Sequence, residues 1–163
     1  MTDYTIRNAS DDDIPLLATL IRTSFRDVAE RFGLTAENCP KHPSNCTVDW
    51  IGHDLARGRR YFVLEETDGI CGCAALEKAG AEDCYLERLA VLPEKRRRGL
   101  GQALVEKVIA EARGLGAARV GIGIIAHQNE LKRWYEKLGF IEGDTRTFAH
   151  LPFEVMFMSR ALI

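Results

Sequence analysis

The sequence predicts a mixed α/β domain, and three observations predict it. Short apolar runs of strand length alternate along the chain with longer stretches whose apolar residues recur at helical spacing. Near the middle, a basic segment with two glycines joins one such run to one such stretch, as a strand-to-helix turn does. The third is size: 163 residues without a linker, internal repeat or low-complexity segment make one domain, residues 1–163. A domain of this length buries roughly 70% of its unfolded surface and needs no covalent staples.

Each element follows from local signals. Tyr4-Thr5-Ile6-Arg7 is an opening strand, and Ser10 is an N-cap followed by Asp11, Asp12 and Asp13 in the acidic first turn of a helix. Ile14, Leu17, Leu20 and Ile21 form the buried face of that helix, which ends near Gly33. Thr35 to Asn45 is a loop rich in Pro, Asn, Ser and Cys, and Thr47 caps a second, short helix that ends before Gly58. Strands at Tyr61–Glu65 and Cys71–Glu77 flank Asp68-Gly69, a hairpin turn. The apolar run Leu86 to Leu92 is the next strand, and the basic segment follows it. Leu100, Leu104, Val108 and Ala112 then line the inner face of a helix that Gly114 and Gly116 end. Arg119 to Ala126 is a strand, Leu131, Tyr135 and Leu138 fall on one helical face, and Asp144 to Ile163 makes two antiparallel strands joined around His150-Leu151-Pro152.

Composition narrows the function classes. A formal net charge of −2 argues against a nucleic-acid binder, so Lys95 to Arg98 is a local patch. No apolar run reaches the length of a membrane span, and Met1 to Tyr4 begin no apolar signal segment. Five cysteines cannot all pair, which points to a reducing cytoplasm. Cys71 and Cys73 read as small buried residues and not as a redox pair.

The segment Arg96-Arg97-Arg98-Gly99-Leu100-Gly101-Gln102 is an anion site. Glycines let the backbone approach a ligand, the first N–H groups of the helix are unpaired, and the helix dipole and three arginines suit a pyrophosphate. A dinucleotide fingerprint needs a small residue where Leu104 stands, and a phosphate loop of the nucleotide-hydrolase type needs Gly-Lys-Ser/Thr, which is absent. The pattern Arg-x-x-Gly-x-Gly formed by Arg96, Gly99 and Gly101 resembles the pyrophosphate loop of the GNAT superfamily of N-acetyltransferases. The resemblance extends to the strand Leu89 to Pro93 before the loop, the strand Arg119 to Ala126 after the helix, and Tyr135 followed by Leu138-Gly139-Phe140.

That resemblance implies a twisted, mixed and mostly antiparallel sheet of about seven strands flanked by about four helices, with acetyl-CoA as co-substrate. It implies that two strands splay and that the pantetheine arm pairs with free backbone groups of Leu89, Ala90 and Val91, as an added strand would. It assigns the pyrophosphate to Arg96 through Gln102, the departing thiolate's proton to Tyr135, and the oxyanion to a backbone N–H near Val91. The family often carries Asn seven residues before the tyrosine; Gln128 stands there, with Asn129 next to it, and both are candidate contacts to the arm. The rival reading of Tyr135 is a core aromatic sharing a helix face with Leu131 and Leu138. Gly121 and Gly123 admit either a close ligand or close packing.

The general base is Glu87 or, second, His150. Regular alternation puts Glu87 on the same face as Leu89 and Val91, where burial would raise its pKa, and a bulge of the kind common in the family would change that facing; the alternative role is an ion pair with Arg88 or another surface cation. By resemblance Asn38 to Cys46 borders the acceptor pocket and His150 falls where family members close the acceptor side, which makes His42, Cys46 and His150 candidate acceptor contacts. The Cys39, His42 and Cys46 spacing matches no common zinc framework, so no metal is expected. Cys84 is a possible acyl-accepting nucleophile, but direct transfer in a ternary complex is favoured. The expected activity is acetyl transfer to a primary amine of a small molecule or peptide by a monomer or homodimer, with neither nucleic acid nor membrane as partner. Two alternatives stand beside it: a non-catalytic acyl-CoA-binding module, and an interaction protein whose basic loop binds phosphate or nucleic acid.

Overall fold

Alternation and helical periodicity set the elements, and pairing sets their ends. The computed structural model describes residues 3–162; Met1, Thr2 and Ile163, which the expected domain includes, lie outside the described residues. The strands are β1 (Tyr4–Asn8), β2 (Arg60–Glu66), β3 (Gly69–Lys78), β4 (Asp83–Val91), β5 (Arg119–Ile125), β6 (Ile141–Thr147) and β7 (Glu154–Ala161). The helices are α1 (Ile14–Phe32), α2 (Val48–Ala56), α3 (Leu100–Gly114) and α4 (Asn129–Lys137). The seven strands form one sheet in the order β1-β2-β3-β4-β5-β7-β6, antiparallel except between β4 and β5. The expected fold class is the one observed.

Two strand starts move by three residues because tertiary pairing overrides local propensity. β4 begins at Asp83, three residues before the apolar run, since Asp83, Cys84 and Tyr85 pair in parallel with Arg119, Val120 and Gly121. β6 begins at Ile141: Glu142-Gly143-Asp144 has turn composition, yet β7 takes this stretch as a bulged edge strand. A three-residue 3-10 turn at Asp11–Asp13 precedes α1 and is held by Arg7, which clamps Asp13 with bonds of 2.8 and 2.9 Å. Gly33 ends α1 in the left-handed conformation, φ 64°, where L side chains are disfavoured.

Both faces of the sheet are covered, so β2 is apolar on both sides. Phe62 and Leu64 point to the layer of α3 and α4, where Leu104, Val105, Val108 and Ile109 are fully buried. Tyr61 and Val63 point to the layer of α1 and α2, with Leu17, Ile21 and Ile51. A third, small cluster packs Leu34 and Cys39, just beyond α1, against Ile125 and the β6–β7 turn residues Leu151 and Phe153. It ties the loop after α1 to the hairpin on the far side of the sheet opening.

Cys71 and Cys73 do not share a face. A register shift beside Cys71 in the β2–β3 ladder sends Cys71 to the α3 layer, while Cys73 faces α1. All five cysteines are free and buried.

Candidate functional site

The parallel pairing of β4 with β5 stops at Tyr85 and Gly121. Beyond it the strands diverge, and Leu86 to Val91 and Ile122 to Ile125 wall a cavity of about 950 Å³. The loop before α3 and the α4 residues Trp134 and Tyr135 close one end; α1, the loop at His42 and the β6–β7 turn at His150 close the other. An open strand edge of this kind leaves main-chain groups of β4 able to pair with an extended ligand. Leu89, Ala90 and Val91 stand on that edge.

At the first end, Arg97 and Gly99 both have positive φ, 65° and 81°, which bends the loop into α3. Leu100, Gly101 and Gln102 open the helix, so their N–H groups have no intrahelical acceptor. Of the three arginines expected at the anion, Arg96 and Arg97 line the cavity and Arg98 does not. Arg96 is a tie to α1 and β4, donating to Asp27 at 2.8 Å, the Ser24 carbonyl at 2.6 Å and the Val91 carbonyl at 3.2 Å. Arg98 pairs with Glu66 at 2.6 Å and does not line the cavity. Arg97 alone of the three has no side-chain partner among the described residues, and it lines the cavity. Backbone N–H groups, the helix end and Arg97 are therefore what the loop offers. Gly101 faces Trp134, whose ring would lie 3.2 Å from an added Cβ.

Tyr135 is buried and lines the cavity. Its ring sits edge-on to Trp134 at 4.9 Å and to Phe140 at 5.3 Å, and its hydroxyl makes no hydrogen bond to the chain among the described residues. Burial pushes the phenol pKa up, so the proton stays on at neutral pH. Gln128 lines the cavity, whereas the exposed Asn129 does not. Tyr85 occupies the space an added Cβ at Gly121 would take, at 2.9 Å, so that glycine serves packing; Gly123 lines the cavity.

Glu87 lines the cavity too, but not on the expected face. The β3–β4 register slips between the Cys73–Ala90 and Ala75–Glu87 pairs, which inserts one extra residue in β4, and Arg88 there has φ 53°. Leu89 and Val91 consequently pack with the α3 layer and Ala90 with the α1 layer, so Glu87 and Leu89 no longer share a face. Glu87 also has a partner, although not a surface one. Buried Arg59 donates from Nη2 to Glu77 at 2.9 Å and lies 3.0 Å from Glu87, while its Nη1 is 3.1 Å from Asp54. Burial is the largest influence on Glu87 and raises its pKa; Arg59 opposes and the Glu77 carboxylate reinforces the rise. Arg59 and Glu77 carry no motif, and only the folded sheet brings them to Glu87, whereas Arg88 is its neighbour in sequence.

On the acceptor side, His42 is buried and lines the cavity, with Nδ1 bonded to the Ser44 hydroxyl at 2.8 Å and to its N–H at 3.2 Å. Burial, helped by Arg88, lowers its pKa to about 4, so the ring is neutral. His150 is exposed at the cavity rim, tilted against Phe148. Cys46 is a correction: it is fully buried outside the cavity lining and serves the core, while its carbonyl accepts from Arg22. Cys84 packs in the α3 layer, away from the cavity, and burial raises its pKa. Among the described residues no three His, Cys, Asp or Glu side chains converge on a metal position, and no helix is long and apolar enough to cross a membrane.

Comparison with known proteins agrees with this geometry. The acetyltransferase (GNAT) domain family matches residues 57–142, from the end of α2 into β6 and just over half of the chain. The chain belongs to the GNAT family. Over 95 residues it is 37% identical to an uncharacterized N-acetyltransferase of Mycobacterium tuberculosis, a match that covers 58% of this chain and 61% of that protein. The match thus spans about three fifths of the relative's length. Among solved GNAT folds, the ribosomal-protein-S18-alanine N-acetyltransferase of Escherichia coli superposes with a TM-score of 0.76 at 20% identity, covering 98% of this chain and 94% of that one. A GNAT family acetyltransferase of Elizabethkingia anophelis with acetyl-CoA bound gives 0.72 at 15% identity, covering 99% of both chains.

Proposed function

We propose that this protein transfers an acetyl group from acetyl-CoA to a primary amine. The observation that carries the reading is the open β4 edge running to the N-terminus of α3, a continuous track of unpaired backbone donors from an apolar gap to an anion cradle. The family and the acetyl-CoA bound by the structurally similar Elizabethkingia protein support it.

Leu89, Ala90 and Val91 would hold the pantetheine arm, with Gln128 beside it, and Arg97 and Gly99 to Gln102 the pyrophosphate. The co-substrate supplies a thioester; its acetyl carbon bonds to the amine nitrogen as its bond to sulfur breaks. Glu87 takes the ammonium proton before attack, directly or through water, and a backbone N–H near Val91 stabilises the oxyanion. Tyr135 gives its proton to the departing thiolate and is reprotonated, through solvent, as the nitrogen sheds its second proton on becoming an amide. Transfer is direct, since Cys84 lies in the core and Cys39, which does line the cavity, has a thiol pKa raised by burial. Five unpaired cysteines fit a reducing cytoplasm.

The deciding experiment is a panel of amines assayed for free CoA thiol. Thiol release that depends on an amine is expected. Tight acetyl-CoA binding with no release against any amine would identify a binding module instead, and salt-sensitive nucleic-acid binding that acetyl-CoA does not displace would identify a phosphate-binding interaction protein.

The base has its own signature. Glu87 works only when deprotonated, and its pKa is raised, so kcat/KM should fall as pH drops through a value above the ordinary carboxylate range. Glu87→Gln is expected to remove this acid limb and lower kcat/KM by about 10²-fold or more at neutral pH. A pH-independent loss would leave Glu87 a structural part of the Arg59 cluster, and a larger pH-dependent loss in His150→Ala would move the role there.

A further inference from the structure

We propose that Arg88 anchors a carboxylate of the acceptor, which makes free α-amino acids the substrate class; the inference rests on the acetyltransferase reading above. Arg88 has φ 53°, a conformation that a bulky side chain rarely adopts and that is costly to hold. The bulge there gives β4 one residue more than β3, and it brings Glu87 and Arg88, consecutive in sequence, into the wall of one cavity. A regular strand would send them to opposite faces.

The Arg88 guanidinium is underused. Its side chain is 17% exposed, its Nε is buried without a partner, and the one hydroxyl it bears on, that of Tyr61, is itself committed to Asp54. The nearest carboxylate is Asp54, at 3.9 Å, and Asp54 is already engaged by the Tyr61 hydroxyl at 2.6 Å and Arg59 at 3.1 Å. Trp50 offers Arg88 an aromatic face at 5.2 Å, which steadies the cation without using its N–H groups. A mostly buried cation whose planar fork of donors is unspent calls for an anion with two oxygens, and a carboxylate matches that fork. Arg31 and Lys41 line the same end of the cavity and form no ion pair among the described residues, so that end is cationic. The neighbouring carboxylate of Glu87 suits the ammonium of the same molecule. A base and an anion anchor side by side are complementary to a zwitterion.

The test compares rates of thiol release for free L-amino acids, each beside its own α-carboxamide. The amide's amine is less basic and so more of it is free at neutral pH, which biases the comparison against the proposal. In the parent protein the best amino acid should exceed its amide in kcat/KM by at least about tenfold, the size of a charged hydrogen-bonded contact. In Arg88→Met that ratio should collapse toward one, with KM for the amino acid up by about 10- to 100-fold and acetyl-CoA affinity retained; Arg88→Lys, which keeps charge without the fork, should fall between. If Arg88→Met does not fold, the parent's ratio still decides. Amides acetylated as well as the acids, or an unchanged ratio in folded Arg88→Met, would overturn the carboxylate anchor and leave the acetyltransferase reading standing. Absence of thiol release with every amine would overturn that reading itself.

Discussion

Tyr135→Phe is expected to lower turnover by about 10²- to 10⁴-fold while acetyl-CoA binds as before. The substitution removes one oxygen from a ring that stays packed between Trp134 and Phe140, and that oxygen bonds to no other group of the chain among the described residues. Folding should therefore be indifferent to it, and an unchanged thermal unfolding midpoint is the control. Loss of a general acid acts on the step in which thiolate leaves. Because burial raises the phenol pKa, Tyr135 stays protonated across the neutral range, and the variant's deficit should be large there and not confined to high pH. Steady-state rates with a saturating amine, set beside a calorimetric titration with acetyl-CoA, separate kcat from affinity. Equal turnover in variant and parent would return the residue to the core, where Leu131 and Leu138 already pack beside it.

Much of this site was legible in the sequence because its main parts are local. The glycine loop, the strand before it and the helix after it are contiguous, and Leu100, Leu104, Val108 and Ala112 announce the buried face of α3 by spacing alone. Tyr135 was readable for the same reason, through the Leu-Gly-Phe that follows it. What sequence reading could not place depends on register and on distant partners. The resemblance allows a bulge in β4, but no glycine or proline marks where the extra residue falls; it turns Glu87 away from the face of Leu89, and Arg88 carries the positive φ. Arg96 and Arg98 look like free anion ligands until Asp27, 69 residues away, and Glu66, 32 residues away, are seen to hold them. Cys46 looks like a loop residue by composition but lies in the core under α1, because the loop folds back over that helix. Short-range pattern carries backbone geometry well; it carries no information on which ions are already spent.

The cofactor loop yields the second large effect: Gly101→Asp should weaken acetyl-CoA binding by about 10³-fold. Two consequences of the substitution oppose each other, and their sizes decide the outcome. For folding, a carboxylate in the first turn of α3 interacts favourably with the helix dipole by about 0.3–1 kcal/mol. The added Cβ would lie 3.2 and 3.4 Å from the Trp134 ring, so the ring must yield by a few tenths of an ångström, which offsets part of that gain. Net stability should change little. For binding, the carboxylate stands against the pyrophosphate, and two like charges about 4 Å apart near a protein surface repel by roughly 4 kcal/mol, close to three powers of ten. Gly99→Ala is the contrast. Nothing lies within 4 Å of a Cβ there, but φ is 81°, so the change strains the backbone by roughly 1–2 kcal/mol and adds no charge. It should lower stability measurably and affinity modestly, whereas Gly101→Asp does the reverse. Calorimetric titrations and thermal unfolding of both variants read the two quantities separately. Acetyl-CoA bound by folded Gly101→Asp within tenfold of the parent would mean that the pyrophosphate does not sit at the start of α3.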